Sequence, residues 1–287
     1  VKRGQYLVAF FLLAICSLVQ AQGTYTQLSF AGATALNATG VNKSGQVCGN
    51  YVDAGGTYYG FLYSAGFFTP IAYPGAQWTV PFGMNDAGQV VGYTLNPTLA
   101  FIYDSSTQTF TTIAYPGAAF TYPFSINNSG VVAGAFTDAQ GASDGFTFDG
   151  TNYTEINPPT GTNSSALSIA DTGEVLGAYY VSGSSTANYF SYKNGVYKKV
   201  TISSAPHATG LFLNPTGTTI GGQNVLSRTL TTGFVYKNGT LHTLRFPGSN
   251  RTAPAAISSA GEVVGNFTDE SGQFVYGFIW TPPGAQR

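Results

Sequence analysis

The chain has 287 residues, of which 8% are charged and 15% aromatic, with 37 glycines and a formal net charge of −1. So few charges beside so many aromatics exclude intrinsic disorder. The near balance of 11 basic and 12 acidic residues excludes a cationic surface for nucleic acid. Helix-forming residues are scarce, and abundant Gly, Thr, Tyr, Phe and Val read as short strands joined by tight turns.

Taken in chain order, the first element is an export signal over residues 1–21. Lys2 and Arg3 form a positive start, Leu7 to Val19 is apolar, and Val19-Gln20-Ala21 offers small residues at a cleavage site. The apolar run is too short to cross a bilayer. The expected mature chain, 22–287, is therefore secreted or periplasmic, with no membrane span. It keeps one cysteine, Cys48, so no intramolecular disulfide is available. Its place in Val47-Cys48-Gly49 predicts a small buried strand residue.

A segment of the form Asn-x-x-Gly-x-Val-Val-Gly then recurs six times. It begins at Asn42, Asn85, Asn127, Ala170, Asn214 and Ser258, and its first glycine falls at 45, 88, 130, 173, 217 and 261. Each period holds four strand-like pieces. The first runs into the Asn and the second is the Val-Val-Gly run. The third is Gly-Phe-x-aromatic, as in Gly60-Phe61-Leu62-Tyr63, and the fourth is aromatic-Thr-x-Ile, as at Phe68 to Ile71. Four short strands in this period predict a β-propeller blade.

The last copy stops after its third strand, at Trp280, while Tyr25 to Ala33 aligns without gaps to Phe68 to Ala76. The expectation is an all-β fold: a single six-bladed β-propeller of four-stranded blades over 22–287, closed by the N-terminal strand completing the last blade. The repeats also resemble the bacterial extracellular HAF-repeat family, whose copies carry Asn-Asp-x-Gly-x-Val-Val-Gly and a His-Ala-Phe strand start. The corresponding tripeptides here are Tyr59-Gly60-Phe61, Leu99-Ala100-Phe101, Asp144-Gly145-Phe146, Thr232-Gly233-Phe234 and Tyr276-Gly277-Phe278, none with the histidine. The resemblance implies export and a repeat fold, and no particular reaction.

Two histidines, His207 and His242, and scattered carboxylates give no metal centre and imply no cofactor. The recurrent Asn and Asp at the first turn, with Asp53, Asp138 and Asp269, read as turn formers. One position breaks the repeat. Seven residues before each motif start stand Ala35, Trp78, Phe120, Asn163, His207 and Arg251. All six enter a first strand from the loop face, where propellers bind ligands at the channel mouth. Trp78, Phe120 and Tyr122 are candidates for stacking on sugar rings, with Asn163, His207 and Arg251 supplying hydrogen bonds.

Charge is also segregated. No Lys or Arg occurs from Ser44 to Tyr192, whereas Lys193 to Arg251 has seven basic residues and no acid. This invites an anionic partner over His207, Arg251, Arg245 and Lys237, though Lys193-Asn194-Gly195 and Lys237-Asn238-Gly239 are hairpin turns. The expected function is a monomeric, non-catalytic propeller that binds a glycan or cell-surface protein through its loop face. The alternative is a polysaccharide lyase or hydrolase using His207 and Arg251 at the channel mouth, which requires a base and a charge stabiliser in one cleft. A structural surface protein without a small ligand is a third reading.

Overall fold

The computed structural model describes residues 23–272 and 274–285, so the export signal at 1–21 lies outside the described residues. All 24 described regular elements are strands. The N-terminal strand is β1 (Thr24–Leu28). A first group follows as β2 (Ala35–Val41), β3 (Val47–Val52), β4 (Tyr58–Ser64) and β5 (Phe67–Ile71). The second is β6 (Trp78–Met84), β7 (Gln89–Leu95), β8 (Ala100–Asp104) and β9 (Thr109–Ile113). The third is β10 (Phe120–Ile126), β11 (Val132–Thr137), β12 (Ser143–Phe148) and β13 (Tyr153–Ile156). The fourth is β14 (Asn163–Ile169), β15 (Val175–Tyr180), β16 (Asn188–Lys193) and β17 (Val196–Val200). Then come β18 (Ala208–Leu213), β19 (Thr219–Val225), β20 (Thr231–Lys237) and β21 (Thr240–Leu244), and finally β22 (Arg251–Ile257), β23 (Val263–Thr268) and β24 (Val275–Thr281).

Neighbours within each group pair antiparallel. The final three strands gain a fourth partner from the other end of the chain. β1 runs antiparallel to β24 with Tyr25 opposite Trp280 and Leu28 opposite Gly277. The second, third and fourth groups are separate four-stranded sheets, whereas the others merge into a 12-stranded sheet. Single parallel bridges, Ala35 to Val275 and Thr231 to Arg251, make those junctions.

The repeated motif follows from this geometry. Asn42 Oδ1 accepts the N–H groups of Ser44 and Gln46, each at 3.0 Å, and Gly45 takes the positive φ of +73° that ends the turn. Asn85 and Asn127 do the same in their turns. The closing glycine has another cause. Every first strand carries a register shift near its middle, and Gly49, Gly92, Gly134, Gly177 and Gly265 pair with the residue just before it. A β-carbon on any of these five would run into a backbone carbonyl of the first strand. Close approach, not a special φ, makes this position glycine.

The core sits between sheets and repeats with them. Phe61, Phe101, Phe146, Phe190, Phe234 and Phe278, one from each third strand, are the largest fully buried side chains. Burying each contributes about 1.5–3 kcal/mol. Phe61 and Tyr63 meet Phe68 at 5.1 and 4.9 Å, and Phe101 and Tyr103 meet Phe110 at 5.3 and 4.7 Å. Cys48 is fully buried, as its sequence context predicts, and burial pushes its thiol pKa up to about 12.

Candidate functional site

Successive strands run up and down, so each group offers its first-strand starts, second-strand ends and third-strand starts on one face. This is the loop face. The other face holds the Asn-x-x-Gly turns. Residues from all six first strands, among them Thr39, Phe82, Phe124, Leu167, Phe212 and Ala255, line one cavity of about 70 Å³ that reaches the turn face. The first strands therefore enclose a common axial channel. At its turn end there is room for a few waters and not for a sugar or nucleotide.

A chain of hydrogen bonds runs around that end from the first group to the fifth. Lys43 N–H donates to Asp86 Oδ1 at 2.7 Å, Asp86 N–H to Asn128 Oδ1 at 2.8 Å, and Asn128 N–H to Asp171 Oδ1 at 2.9 Å. Asp171 N–H donates to the Pro215 carbonyl at 2.7 Å. The second residue of the motif thus joins one sheet to the next. Turn chemistry explains the Asn before it, but this inter-sheet role is not visible within a single repeat. The only hint is an acid or amide placed one residue after the turn former. Asp53 and Asp138 close local turns, accepting from Gly55 and Thr57 and from Gln140 and Ala142. Among the described residues no group of three metal-ligating side chains occurs.

The residues singled out by sequence lie on the loop face, and they do not form one continuous ring. Trp78 opens β6 and packs on Tyr58 with ring centroids 5.1 Å apart. Its Nε1 is buried and has no hydrogen-bond partner among the described residues. Phe120 opens β10, is 44% exposed, and stacks on Tyr122 at 6.2 Å. Tyr122 meets Tyr93 at 5.6 Å, and Tyr93 meets Phe82 at 5.6 Å. Burial, together with the neighbouring phenols of Tyr122 and Tyr58, raises the Tyr93 pKa. Sequence reading found Trp78, Phe120 and Tyr122. It missed Tyr58, which packs on Trp78, and Tyr93, which packs on Tyr122.

The polar candidates are dispersed. Asn163 Oδ1 accepts from Ser143 N–H at 3.0 Å, which gives it a structural partner. His207 lines a separate cavity of about 390 Å³ with Lys199 and Tyr189, and neither Arg251 nor any carboxylate lines it. Exposed Arg251 starts β22. Arg245 Nε donates to the Ser249 carbonyl at 3.1 Å. Lys237 ends β20 and so belongs to the opposite face, beside the Asn238-Gly239 turn. Of the basic residues anticipated for an anionic partner, His207, Arg245 and Arg251 thus share the loop face and Lys237 belongs to its hairpin turn on the other. In its cavity His207 therefore has neither Arg251 nor a carboxylate beside it, the combination lyase or hydrolase chemistry would need.

Radial four-stranded antiparallel sheets around an axial channel make this a propeller-like β protein. Solved structures agree on the fold. TolB from Acinetobacter baumannii aligns with a TM-score of 0.61 at 17% identity, over 83% of this chain and 67% of that one. A gluconolactonase from Xanthomonas campestris gives 0.57 at 13% identity, over 92% of each chain. The β-propeller domain of the Trilobed protease from Pyrococcus furiosus gives 0.55 at 9% identity, over 86% and 95%. At such identities the likeness concerns architecture alone. No family model and no curated protein matches the sequence.

Proposed function

We propose that the chain is an exported, monomeric, non-catalytic six-bladed propeller of the HAF-repeat type. It captures an extracellular glycan or surface protein through its loop face. The pairing of β1 with β24 and the channel lined by six first strands support the blade count and the closure.

One observation carries the binding assignment. Among the described residues, six of the eight exposed large apolar side chains, Tyr59, Phe120, Tyr180, Val225, Leu226 and Phe274, stand at loop-face strand ends. Solvent-facing apolar groups gathered on one side mark an interaction surface rather than random exposure. The lining of the His207 cavity, without Arg251 or a carboxylate, favours binding over catalysis.

The test is sedimentation of the purified full chain with intact cells lacking their own copy. Leu226→Asp combined with Phe274→Asp is expected to abolish co-sedimentation. Phe67→Asp, at a 77% exposed position on the turn face, is expected to leave it intact. Equal retention of all three proteins overturns the loop-face assignment.

A further inference from the structure

The junctions between successive groups are filled by rings. In several of them an aromatic of the connection stacks on one that stands two residues after the closing glycine. Phe30 meets Tyr51 at 4.3 Å, Tyr115 meets Phe136 at 3.7 Å and Phe246 meets Phe267 at 3.6 Å. Two further junctions keep one ring of the pair, with Tyr73 and Thr94, and with Pro158 and Tyr179, at the corresponding positions. Between the fourth and fifth groups both rings are gone, and Ile202 and Gln223 stand in their places. Closely packed interiors leave few voids, so two missing rings open a gap there. A cavity of about 390 Å³ lies on the loop face between the start of β16, the end of β17 and the connection into β18. That volume falls within the range of small-molecule sites.

The lining selects a ligand class. Buried Ile202 and Leu211 contribute an apolar floor, and half-buried Tyr189 adds a ring. Around them stand Asn188, Thr201, His207 and Thr209, whose side chains hold no hydrogen bond to another described residue. An apolar floor under several free donors and acceptors suits a polyhydroxylated ring. Charge narrows the class further. No Asp or Glu occurs from Val175 to Gly261, a stretch with seven Lys and Arg residues. The acids that bound it, Glu174 and Glu262, stand at the repeated turns of the other face. Exposed Lys199 lies at the cavity rim. A neutral sugar gains little from this field, whereas a carboxylate is drawn into it.

We propose that the cavity between the fourth and fifth groups is a site for a uronic acid residue, its carboxylate toward Lys199 and its hydroxyls on Asn188, Thr201, His207 and Thr209. This rests on the loop-face reading and names the class and place of its ligand. Ile202, standing where other junctions carry a ring, keeps the site open.

The full chain is titrated by calorimetry with trigalacturonate, trimannuronate, cellotriose and inorganic phosphate. Saturable binding of at least one uronate trimer, with no heat from cellotriose or phosphate, is the expected result. Lys199→Glu is expected to weaken that binding about tenfold. Lys237→Glu, the same change of charge on the turn face, is expected to leave it unchanged. Ile202→Tyr restores the residue found at Tyr73 and Tyr115 and is expected to abolish binding with thermal unfolding intact. Silence from both uronates, or cellotriose or phosphate binding as tightly as either, overturns the proposal. Equal losses in Lys199→Glu and Lys237→Glu, or full affinity in a folded Ile202→Tyr, overturn the assigned place. Cell retention that persists while both uronates are silent leaves the loop-face reading standing and removes only this site.

Discussion

Asp86 and Asn128 form a reciprocal pair across two sheets. Asp86 N–H donates to Asn128 Oδ1 at 2.8 Å, and Asn128 Nδ2 donates back to Asp86 Oδ2 at 3.0 Å. The same Nδ2 reaches Asp171 Oδ2 at 2.9 Å, so one amide holds two carboxylates apart and joins three sheets. Asn128→Ala leaves both acids facing each other without that donor. These bonds are solvent-exposed, so the variant is expected to lower stability by about 0.5–1.5 kcal/mol, read as a shift in the urea midpoint without a change in slope. An unchanged midpoint would show that the chain of bonds around the channel is ornamental.

Gly92 tests the closing position of the motif. A β-carbon there collides with the Val80 carbonyl and the Phe101 ring. Gly92→Ala is expected to destabilise by about 1–3 kcal/mol through overpacking, whereas Gly117→Ala meets no neighbouring atom and pays only for its φ of +76°. Thermal melts of the two variants would separate them, and an equal or larger loss at Gly117 contradicts the close-approach argument.

Leu28 is the buried end of the strand that joins the two chain termini, 2% exposed in the cluster with Leu36, Phe61 and Ile279. Leu28→Ala is expected to cost about 2–5 kcal/mol. Because loosening β1 bares an edge of β24, the variant is also expected to self-associate on mild heating, as light scattering would show. A monomeric, undiminished protein would mean that β1 contributes little to closure.

Alkaline pH should destabilise the fold. Burial raises Cys48 from 9.0 to about 12, and burial raises Tyr25 from 10.0 to about 12 against a smaller opposing effect of the Arg245 backbone. Both groups keep their protons in the folded state after the unfolded chain has begun to lose them. Their contribution is whole below the unfolded values and is lost as pH rises from about 9 to about 12. Urea midpoints are expected to fall across that window, and Cys48 is expected to resist thiol reagents until the chain unfolds. Rapid labelling of the folded protein near neutral pH would contradict its burial.

The sequence by itself determined the strand order, the period and the turn chemistry, because those are local. Asn42 caps its own turn, Gly45 needs its own positive φ, and Phe61 lies within a strand whose alternation is plain. It also exposed the match between Tyr25 to Ala33 and Phe68 to Ala76, which points to the β1–β24 pairing. The tertiary structure decided what depends on contacts between repeats. The hydrogen bonds from Asp86 to Asn128 to Asp171 join residues more than forty positions apart, and no single repeat reveals them. The six residues that break the symmetry do share one face, yet Trp78 packs on Tyr58, Phe120 and Tyr122 meet each other and Tyr93, and Asn163 and His207 find other surroundings. Alignment fixes which strand end a residue occupies. Only the packing of one sheet against the next decides which neighbours its side chain meets there.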